Sequence, residues 1–346
     1  MAEALAFAQL RAWAAEEGLH ALAAIPLPEK MDGGGLEQML ADGVGDMQWL
    51  ARHADIRRQP RHLLPSAHSL IVVALPYQAQ AVEDQHQHLR CARYAAGKDY
   101  HGILRSALAR MGKRITGAQP GTSSRACVDS APINERSLAQ MAGLGWIGRN
   151  ALLISPRQGS YRFLGVLLTD AEIAFHWEND DADRCGVCTA CHQACPTAAL
   201  VGRRVLSERC ISYLTIEHQG IIPKDLAQHF QGWWYGCDRC QEVCPWNRFA
   251  PAAGDSRLLG QEDDQRLMAL TTPQDFAEYF AGRPQRRAGF TRFRRNLLVA
   301  LWSRQQYADC AAICAATPLP LVCAQADALG LVGRAAQSPS PGPPIS

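Results

Sequence analysis

Two closely spaced runs of cysteine, each ending in a Cys-Pro pair, constrain this chain more than any other feature. The first run has the pattern C-x2-C-x2-C-x3-C-P and comprises Cys185, Cys188, Cys191 and Cys195. The second has the pattern C-x2-C-x3-C-P and comprises Cys237, Cys240 and Cys244. This spacing is typical of proteins with two [4Fe–4S] clusters, in which the last cysteine of a run binds the other run's cluster.

Two [4Fe–4S] clusters need eight thiolates, and these runs supply seven. We therefore expect an eighth ligand from elsewhere in the chain, and Cys210 is the best candidate. The crossed arrangement predicts one ligand set of Cys185, Cys188, Cys191 and Cys244. It predicts a second ligand set of Cys195, Cys210, Cys237 and Cys240.

Other uses of cysteine fit this pattern less well. Structural zinc sites also use C-x2-C pairs, but they rarely place four cysteines so close together with a proline after the last. A disulfide framework is typical of short secreted chains, whereas this chain has 346 residues and no signal-peptide pattern. We interpret the remaining cysteines as small buried hydrophobic residues: Cys91, Cys127, Cys310, Cys314 and Cys323.

The composition is that of an ordinary soluble globular protein, with 47% hydrophobic and 20% charged residues. The net charge of +2 is too small to indicate nucleic-acid binding by itself. The most apolar stretch, Leu70 to Leu75, has the length of a strand, so we expect no membrane association. Oxygen-sensitive clusters and many free thiols fit a reducing compartment, and we expect a cytoplasmic monomer.

The hydrophobic pattern predicts an α/β (α+β) domain over 1–175, with a buried strand at 69–75. A strand pair is expected from 151–154 and 163–168, joined by a turn. A ferredoxin-like two-cluster domain over 176–255 would follow. Phe290, Phe293, Leu297 and Leu301 share one helix face within a helical region over 256–337. The Pro/Ser-rich tail at 338–346 is expected to be disordered.

A glycine pattern in the first domain has the form G-x-G-x-x-G, at Gly143, Gly145 and Gly148. A dinucleotide-binding fingerprint must follow a strand and begin a helix. Here the pattern follows a helical segment and precedes an apparent strand. We therefore interpret it as a tight glycine loop packed beneath another group.

Asp129 is the acid that the sequence singles out. It follows the apolar Cys127-Val128 pair, and Pro132 favours an extended or turning backbone just after it. Burial beside an apolar surface would favour the neutral carboxyl, which suits a general acid. The alternative interpretation is an aspartate that caps a turn by bonding to its own backbone.

Several segments outside the cysteine runs resemble epoxyqueuosine reductases. The segments that carry the resemblance are Arg93 to His101, Val128 to Pro132, Ala142 to Gly148, Cys210 to Glu217 and Tyr235 to Gln241. The similarity extends from about Trp49 to Trp302. It implies a cobalamin-dependent iron–sulfur enzyme that reduces epoxyqueuosine to queuosine at the wobble position of a tRNA anticodon.

The resemblance also implies roles for individual residues. Asp129 would be the proton donor and a cobalamin contact, and Arg52 and Ser212 would contact cobalamin held in its base-off form. Cys210 falls where the family supplies the eighth cluster ligand. Arg149 is a departure, because the family usually has lysine there, and arginine offers a different donor geometry. An electron donor of the ferredoxin or flavodoxin type is expected.

Two basic clusters give independent support for an RNA partner, since phosphates are bound by such side chains. They comprise Arg57, Arg58 and Arg61, and then Arg283, Arg286, Arg287, Arg292, Arg294 and Arg295. The alternative is a solvated helix face with Phe290 and Phe293 in the core, which we favour for the phenylalanines.

Three other functions remain open at this point. A two-cluster electron carrier would have no need of the large first domain. A cobalamin-dependent reductive dehalogenase that acts on small organohalides would usually carry a twin-arginine export signal. A corrin chaperone would not need two clusters.

Overall fold

The computed structural model of the chain describes residues 3–19, 21–31, 34–77, 89–156, 158–177, 182–260 and 262–331. The tail predicted to be disordered, 338–346, lies outside the described residues. The helices are α1 (Phe7–Glu16), α2 (Gly34–Asp42), α3 (Trp49–Arg52), α4 (Ala54–Arg58), α5 (Tyr100–Ala118), α6 (Glu135–Met141), α7 (Ala190–Ala194), α8 (Ile211–Ile216), α9 (Lys224–Ala227), α10 (Arg239–Glu242), α11 (Asp264–Ala269), α12 (Pro273–Tyr279), α13 (Gly289–Ser303), α14 (Tyr307–Ala316) and α15 (Pro320–Leu329).

The strands are β1 (Ala21–Pro26), β2 (Ser69–Pro76), β3 (Arg90–Cys91), β4 (Ser124–Cys127), β5 (Trp146–Ile147), β6 (Leu153–Ile154), β7 (Arg162–Thr169), β8 (Leu200–Val201), β9 (Arg204–Val205) and β10 (Trp233–Tyr235). Short 3₁₀ helices connect them at Pro60–Leu63, Arg93–Ala95, Ser207–Arg209, Pro245–Phe249, Ser256–Leu258 and Pro284–Ala288.

The predicted buried strand lies inside the main sheet as β2. The sheet has the order β1-β2-β7-β4, and every pairing in it is antiparallel. Ile71 and Val73 pack with α5 on one face, while Leu70 and Val72 pack with α6 on the other. Both faces of β2 are therefore covered, which explains its unbroken hydrophobic sequence. Because the sheet is antiparallel, the first domain is α+β.

The expected strand pair at 151–154 and 163–168 is wrong. Both segments form strands, but β6 pairs with β5, and β7 pairs with β2 and β4. The turn between them is real, with a bridge from Ser155 to Gly159. The chain turns there and then enters the large sheet, where β7 finds longer apolar partners on both sides than β6 could offer.

Gly143 and Gly145 of the glycine pattern form a tight loop between α6 and β5, as predicted, and Gly148 follows β5. Gly145 has φ +148°, and a Cβ atom at this position would lie 2.0 Å from the carbonyl oxygen of Ile154. Only glycine permits this close approach between the loop and β6. The loop fixes Trp146, the next residue, at the edge of the two-stranded sheet.

The second half of the cysteine-rich segment shares one hydrophobic core with the C-terminal helices. Trp233 and Trp234 of β10 pack in this core with Phe293, Leu297 and other residues of α13. Burial of Phe293, Leu297 and Leu301 confirms the predicted apolar face of that helix. Strand β10 also pairs in parallel with β3, so a segment of the first 175 residues belongs to the same body.

A buried polar network joins the second cysteine run to the main sheet. The Asn247 side chain accepts a hydrogen bond from the Ser160 backbone at 2.6 Å and donates one to the Gln241 carbonyl at 2.7 Å. Gln241 donates in turn to the Tyr77 hydroxyl at 3.3 Å, at the end of β2. Since buried polar groups are costly to leave unpaired, this network fixes the cysteine run against the first domain.

Across the described ranges, no helix combines the length and the apolar character that crossing a lipid bilayer requires.

Candidate functional site

The first predicted ligand set surrounds a cavity of about 270 Å³. Cys191 lies in α7, and Cys244 lies immediately before the 3₁₀ helix that begins at Pro245. Burial raises the pKa of Cys191, and the neighbouring thiols of Cys244 and Cys185 raise it further. The lining of the cavity includes all four cysteines of this set, Cys185, Cys188, Cys191 and Cys244.

The second predicted ligand set comes together at a different place. Burial raises the pKa of Cys240 strongly, and the adjacent thiols of Cys210, Cys237 and Cys195 raise it further. Burial, together with the thiols of Cys210 and Cys195, also raises the pKa of Cys237. Cys210, which lies outside both runs, precedes α8 as its N-cap residue. The structure thus places Cys210 with the three cysteines that needed a fourth.

Hydrogen-bond donors point at the sulfur atoms of both groups. The indole Nε1 of Trp146 donates to Cys185 at 3.3 Å, and the Ala199 backbone donates to Cys195 at 3.2 Å. The first backbone N–H groups of α8, from Ser212 and Tyr213, donate to Cys210. Donors of this kind stabilise thiolate rather than thiol, so the sulfur environments fit iron–sulfur ligands.

The two groups of cysteines differ in their exposure. Each of the 13 cysteines is a free thiol, and Cys188 is exposed whereas its seven proposed co-ligands are partly buried. Arg149 also lies at the first group, where it lines the cavity and donates to the Gly186 carbonyl at 2.9 Å. Within the described residues, no three His, Cys, Asp or Glu side chains are arranged around a single metal ion.

Asp129 lies directly after β4 with a backbone φ of +41°. This left-handed conformation is uncommon outside glycine and occurs often at functional sites. Its carboxylate oxygen Oδ2 lies 2.9 Å from Nε2 of His101, in the first turn of α5. The other ring nitrogen of His101, Nδ1, lies 2.6 Å from the carboxylate of Asp99. An Asp99–His101–Asp129 chain of hydrogen bonds results.

The pKa shifts of His101 and Asp129 contradict one expectation about which of them carries the proton. Burial raises the pKa of Asp129, but the hydrogen bond and positive charge of His101 outweigh it, so the net pKa is lowered. Burial lowers the pKa of His101, yet its bonds to Asp129 and Asp99 raise the final pKa to about 9. At neutral pH the proton therefore lies on His101, and the prediction that Asp129 is held neutral by burial is wrong.

A second proton-binding group lies beside Asp129. Burial, together with the nearby Asp129 charge, raises the pKa of Glu135 to about 7. Three polar atoms in this neighbourhood are buried and have no hydrogen-bond partner among the described residues: Oε1 of Glu135, Nε of Arg57 and Nε1 of Trp49. A ligand bound beside Asp129 would be able to supply hydrogen-bond partners for these atoms.

The two cobalamin contacts that the resemblance implies, Arg52 and Ser212, lie on segments that meet. Arg52 ends α3 and is exposed, while Ser212 lies in the first turn of α8. The segments are joined by Asp46, whose backbone donates to the Tyr213 hydroxyl at 2.8 Å. Among the described residues, no hydrogen bond or ion pair joins the side chain of Arg52 or of Ser212 to Asp129.

The two basic clusters approach each other at the Trp49 ring, but only some of their arginines take part. The guanidinium of Arg57 lies 5.4 Å from the Trp49 ring, and that of Arg287 lies 5.9 Å from the same ring. Arg286 and Arg287 are exposed, but Arg294 and Arg295 are 1% and 0% exposed. Arg295 instead donates to the carbonyls of Leu214 and His218, so the expectation that every arginine here faces an RNA is wrong.

Sequence reasoning missed three residues of this site. His101 was given no role of its own, and Trp49 and Arg287 were given no role together. A histidine two residues after an aspartate at a helix start was the available signal, because both side chains then lie near the helix N-terminus. No local signal could have paired Trp49 with Arg287, which lies in a different part of the chain.

Two family models match the chain. Residues 184–247 match the 4Fe-4S double cluster binding domain, and residues 57–130 match the family described as Epoxyqueuosine reductase QueG, DUF1730. The first match covers both cysteine runs and Cys210. The second ends just after Asp129.

The relatives with the same description cover most of the chain. The epoxyqueuosine reductase of Vibrio cholerae is 38% identical over 311 residues, which are 85% of this chain and 82% of the relative. That of Pseudomonas aeruginosa is 40% identical over 278 residues, which are 77% and 76% of the two chains.

Solved structures show the same fold. A crystal structure of an epoxyqueuosine reductase with an epoxyqueuosine-modified tRNA-Tyr stem loop superimposes with a TM-score of 0.82 at 25% identity, covering 94% of this chain and 90% of that one. The enzyme from Bacillus subtilis, captured with an aspartate catalytic loop swung out of the active site, gives a TM-score of 0.80 at 25% identity, covering 94% and 89%.

The double-cluster domain and the α+β domain beside it define an iron–sulfur oxidoreductase, rather than an electron carrier without a substrate. More narrowly, the chain belongs to the epoxyqueuosine reductase family, as relatives that it matches over most of their length show.

The His101 hydrogen bonds predict a pH-dependent contribution to stability. Because its pKa rises from an ordinary 6.5 to about 9 in the fold, protonated His101 stabilises the protein fully below about pH 6.5. That contribution is lost as the pH rises through about 9. Thermal unfolding of wild type and His101→Gln should therefore differ most near pH 6.5 and converge near pH 10. A His62→Gln control, at an exposed histidine, should follow wild type; a constant gap between wild type and His101→Gln would contradict the assignment.

Proposed function

We propose that this chain reduces epoxyqueuosine to queuosine at the wobble position of a tRNA anticodon, with two [4Fe–4S] clusters, cobalamin and Asp129 as proton donor. Family membership supports the reaction, and a structural relative was crystallised with an epoxyqueuosine-modified tRNA stem loop. The observation that carries the proposal is that the hydrogen-bonded pair of His101 and Asp129 lies near Arg287, an exposed arginine beside Trp49 whose positive charge lowers the pKa of Asp129. Such a site can bind RNA and protonate a substrate at one place.

We assign the clusters to the two groups of four thiols. One is held by Cys185, Cys188, Cys191 and Cys244, and the other by Cys195, Cys210, Cys237 and Cys240. The grouping of the thiols and the N–H donors that point at them support this assignment.

We assign the cobalamin site to the region between Asp129, Arg52 and Ser212, with the corrin in its base-off form. The unpartnered atoms of Glu135, Arg57 and Trp49 support this assignment, because a corrin carries amide side chains that both donate and accept hydrogen bonds. When bound, cobalamin supplies the reducing cobalt, and the clusters supply its electrons one at a time. The protein supplies the orientation and the protons.

Conversion of the epoxide to an alkene and water consumes two electrons and two protons. The departing oxygen is a poor leaving group unless it is protonated, which is the role of Asp129. Since Asp129 is ionised at rest, it must first accept a proton, and Nε2 of His101 lies 2.9 Å away to provide it. Asp99 stabilises the charged imidazole from its other side, and the partly exposed ring can recover a proton from water.

We assign the segment around Asp129 as the counterpart of the aspartate catalytic loop named for the Bacillus subtilis enzyme. The positive φ of Asp129 and the exposure of its side chain, 55%, support this correspondence, because such a segment can present its carboxylate to a bound substrate.

The cluster assignment predicts the iron content of variants. Anaerobically reconstituted wild type should bind about eight iron atoms, and Cys210→Ala should lose one cluster and bind about four. Cys323→Ala, at an exposed thiol outside both groups, should retain the wild-type content. Iron analysis and electron paramagnetic resonance of the reduced proteins make the measurement. Two intact clusters in Cys210→Ala would show that the eighth ligand is another residue.

The proton-donor assignment predicts the kinetics of Asp129→Asn. This substitution keeps the size and polarity of the side chain but removes its ability to carry a proton, so kcat should fall by about 10² to 10⁴-fold. Iron content, cobalamin binding and the KM for tRNA should change little. The measurement is anaerobic turnover of epoxyqueuosine-containing tRNA with dithionite, followed by nucleoside mass spectrometry. A near wild-type rate would assign the proton to another group and leave Asp129 as a turn-capping residue.

The RNA-binding assignment predicts the effect of charge reversal near Trp49. Arg286→Glu with Arg287→Glu should weaken tRNA binding and reduce the slope of log affinity against log salt by about one per lost phosphate contact. The matched control is Arg11→Glu with Lys113→Glu, which makes the same charge change at exposed positions of α1 and α5. Filter binding over a salt series separates them. Equal affinities for the two double variants would place the RNA elsewhere.

A further inference from the structure

Two buried residues bound the stretch of chain that carries Asp129. Val128 is 1% exposed and packs with Leu104 of α5, and Ile133 is 0% exposed and packs in the core on the other face of the main sheet. The four residues between them, 129–132, are exposed or partly exposed, and we call them the Asp129 segment. The hydrophobic cores therefore fix the two ends of this segment but not the segment itself.

One face of α5 contacts two successive residues of the Asp129 segment. His101 and Arg105 are four positions apart in this helix, so their side chains lie on the same face, one turn apart. Nε2 of His101 lies 2.9 Å from Oδ2 of Asp129, and Nη2 of Arg105 donates to Oγ of Ser130 at 2.9 Å. The Ser130 hydroxyl donates in turn to the carbonyl of Val128 at 3.2 Å.

Asp129 needs such a restraint because its backbone conformation is unfavourable. Its φ of +41° lies in the left-handed region, which residues other than glycine keep only where their surroundings hold them. The His101 contact holds the carboxylate alone. The two hydrogen bonds of the Ser130 hydroxyl join the residue after Asp129 to the residue before it and to α5. They therefore restrain the backbone on both sides of Asp129.

We propose that Arg105 and Ser130 are positioning residues for the proton donor. Their hydrogen bond holds the Asp129 segment against α5, which keeps the carboxylate within reach of His101. Neither residue touches the reacting atoms, so each acts through Asp129. The inference rests on the proposed function, in which Asp129 is the proton donor.

Other charges face the His101–Asp129 pair and affect its protonation. Arg105 itself acts on Asp99, whose pKa is lowered by the hydrogen bond from His101 and, to a smaller extent, by the Arg105 charge. Among the described residues, the further groups that interact with the pair are Tyr100 of α5, Glu135 and Arg136 of α6, Arg57 of α4 and Arg287.

The direction of a pKa change separates positioning from a charge effect. Removal of the Arg105 charge alone would raise the pKa of His101, because a positive charge nearby disfavours the protonated ring. Displacement of the Asp129 segment would lower that pKa, because His101 would lose one of the two bonds that outweigh burial and raise its pKa to about 9. Ser130→Ala removes the same hydrogen bond without any change of charge.

The kinetic test uses the reconstituted holoenzyme, dithionite and epoxyqueuosine-containing tRNA. Arg105→Met and Ser130→Ala should each lower kcat about tenfold with little change in the KM for tRNA, since a displaced proton donor slows the chemical step. The double variant should be no slower than either single variant, because both substitutions break the same bond. Ser130→Thr keeps the hydroxyl and should keep most of the wild-type kcat.

The matched controls are Arg110→Met and Ser106→Ala, at exposed positions of the same helix, and they should turn over as wild type does. Because an exposed hydrogen bond contributes little to global stability, Arg105→Met and Ser130→Ala should keep the iron content and the fold of wild type.

Thermal unfolding as a function of pH gives a readout that needs no turnover. The stability that His101 contributes in wild type is full below about pH 6.5 and is lost as the pH rises through about 9. This pH-dependent part should shrink toward that of His101→Gln in both Arg105→Met and Ser130→Ala, and it should keep its wild-type size in Arg110→Met. A charge effect would instead enlarge it in Arg105→Met and leave Ser130→Ala unchanged.

The outcomes separate this inference from the proposed function. Wild-type kcat and wild-type pH dependence in both variants would overturn the inference, and so would independent, additive losses in the double variant. A raised KM for tRNA with unchanged kcat in Arg105→Met alone would also overturn it and make Arg105 a phosphate contact. A wild-type enzyme that fails to reduce epoxyqueuosine with dithionite would overturn the proposed function instead. The pH dependence of unfolding would still decide whether Arg105 and Ser130 hold Asp129 against His101.

Discussion

One cysteine of each run lies with the cysteines of the other run, and this crossed arrangement constrains how the middle of the protein folds. Cys195 belongs to the first run but lies with Cys210, Cys237 and Cys240. Cys244 belongs to the second run but lies with cysteines of the first run. The chain between them must therefore fold back so that both runs lie side by side. Because Cys210 is the N-cap of α8, the same arrangement positions that helix, and with it the segment that reaches Asp46 of the first domain.

The C-terminal helices support α8 from its other end. Arg295 of α13 donates to the carbonyls of Leu214 and His218, and Asn296 donates to that of Thr215 at 2.7 Å. These carbonyls belong to the last turn of α8 and the loop after it, where backbone acceptors have no partner within the helix. A helix far along the chain thus satisfies the last carbonyls of the helix that begins after Cys210.

The parts of the site that follow from local spacing could be predicted from the sequence, and those that depend on tertiary packing could not. Cluster ligands are close in sequence, so the two groups and the place of Cys210 were accessible from the pattern and the resemblance. The burial of Arg295 was not, because an arginine that donates to carbonyls has the same sequence as one that faces water. The strand pairing of β6 failed for a similar reason, since neighbouring strands in sequence need not be partners in a sheet. His101 and Asp129 are separated by 28 positions, and only the fold brings them together.

The positive φ of Asp129 restricts which amino acids fit this position, in addition to the requirement for an acidic group. Glutamate also carries a proton, but its side chain is one methylene longer and would move the carboxylate away from His101. Asparagine and glycine adopt this backbone readily, yet neither has an acidic group. Aspartate tolerates this backbone and places an acidic group within hydrogen-bond distance of His101. The backbone conformation and the hydrogen bond to His101 therefore favour the same residue at this position.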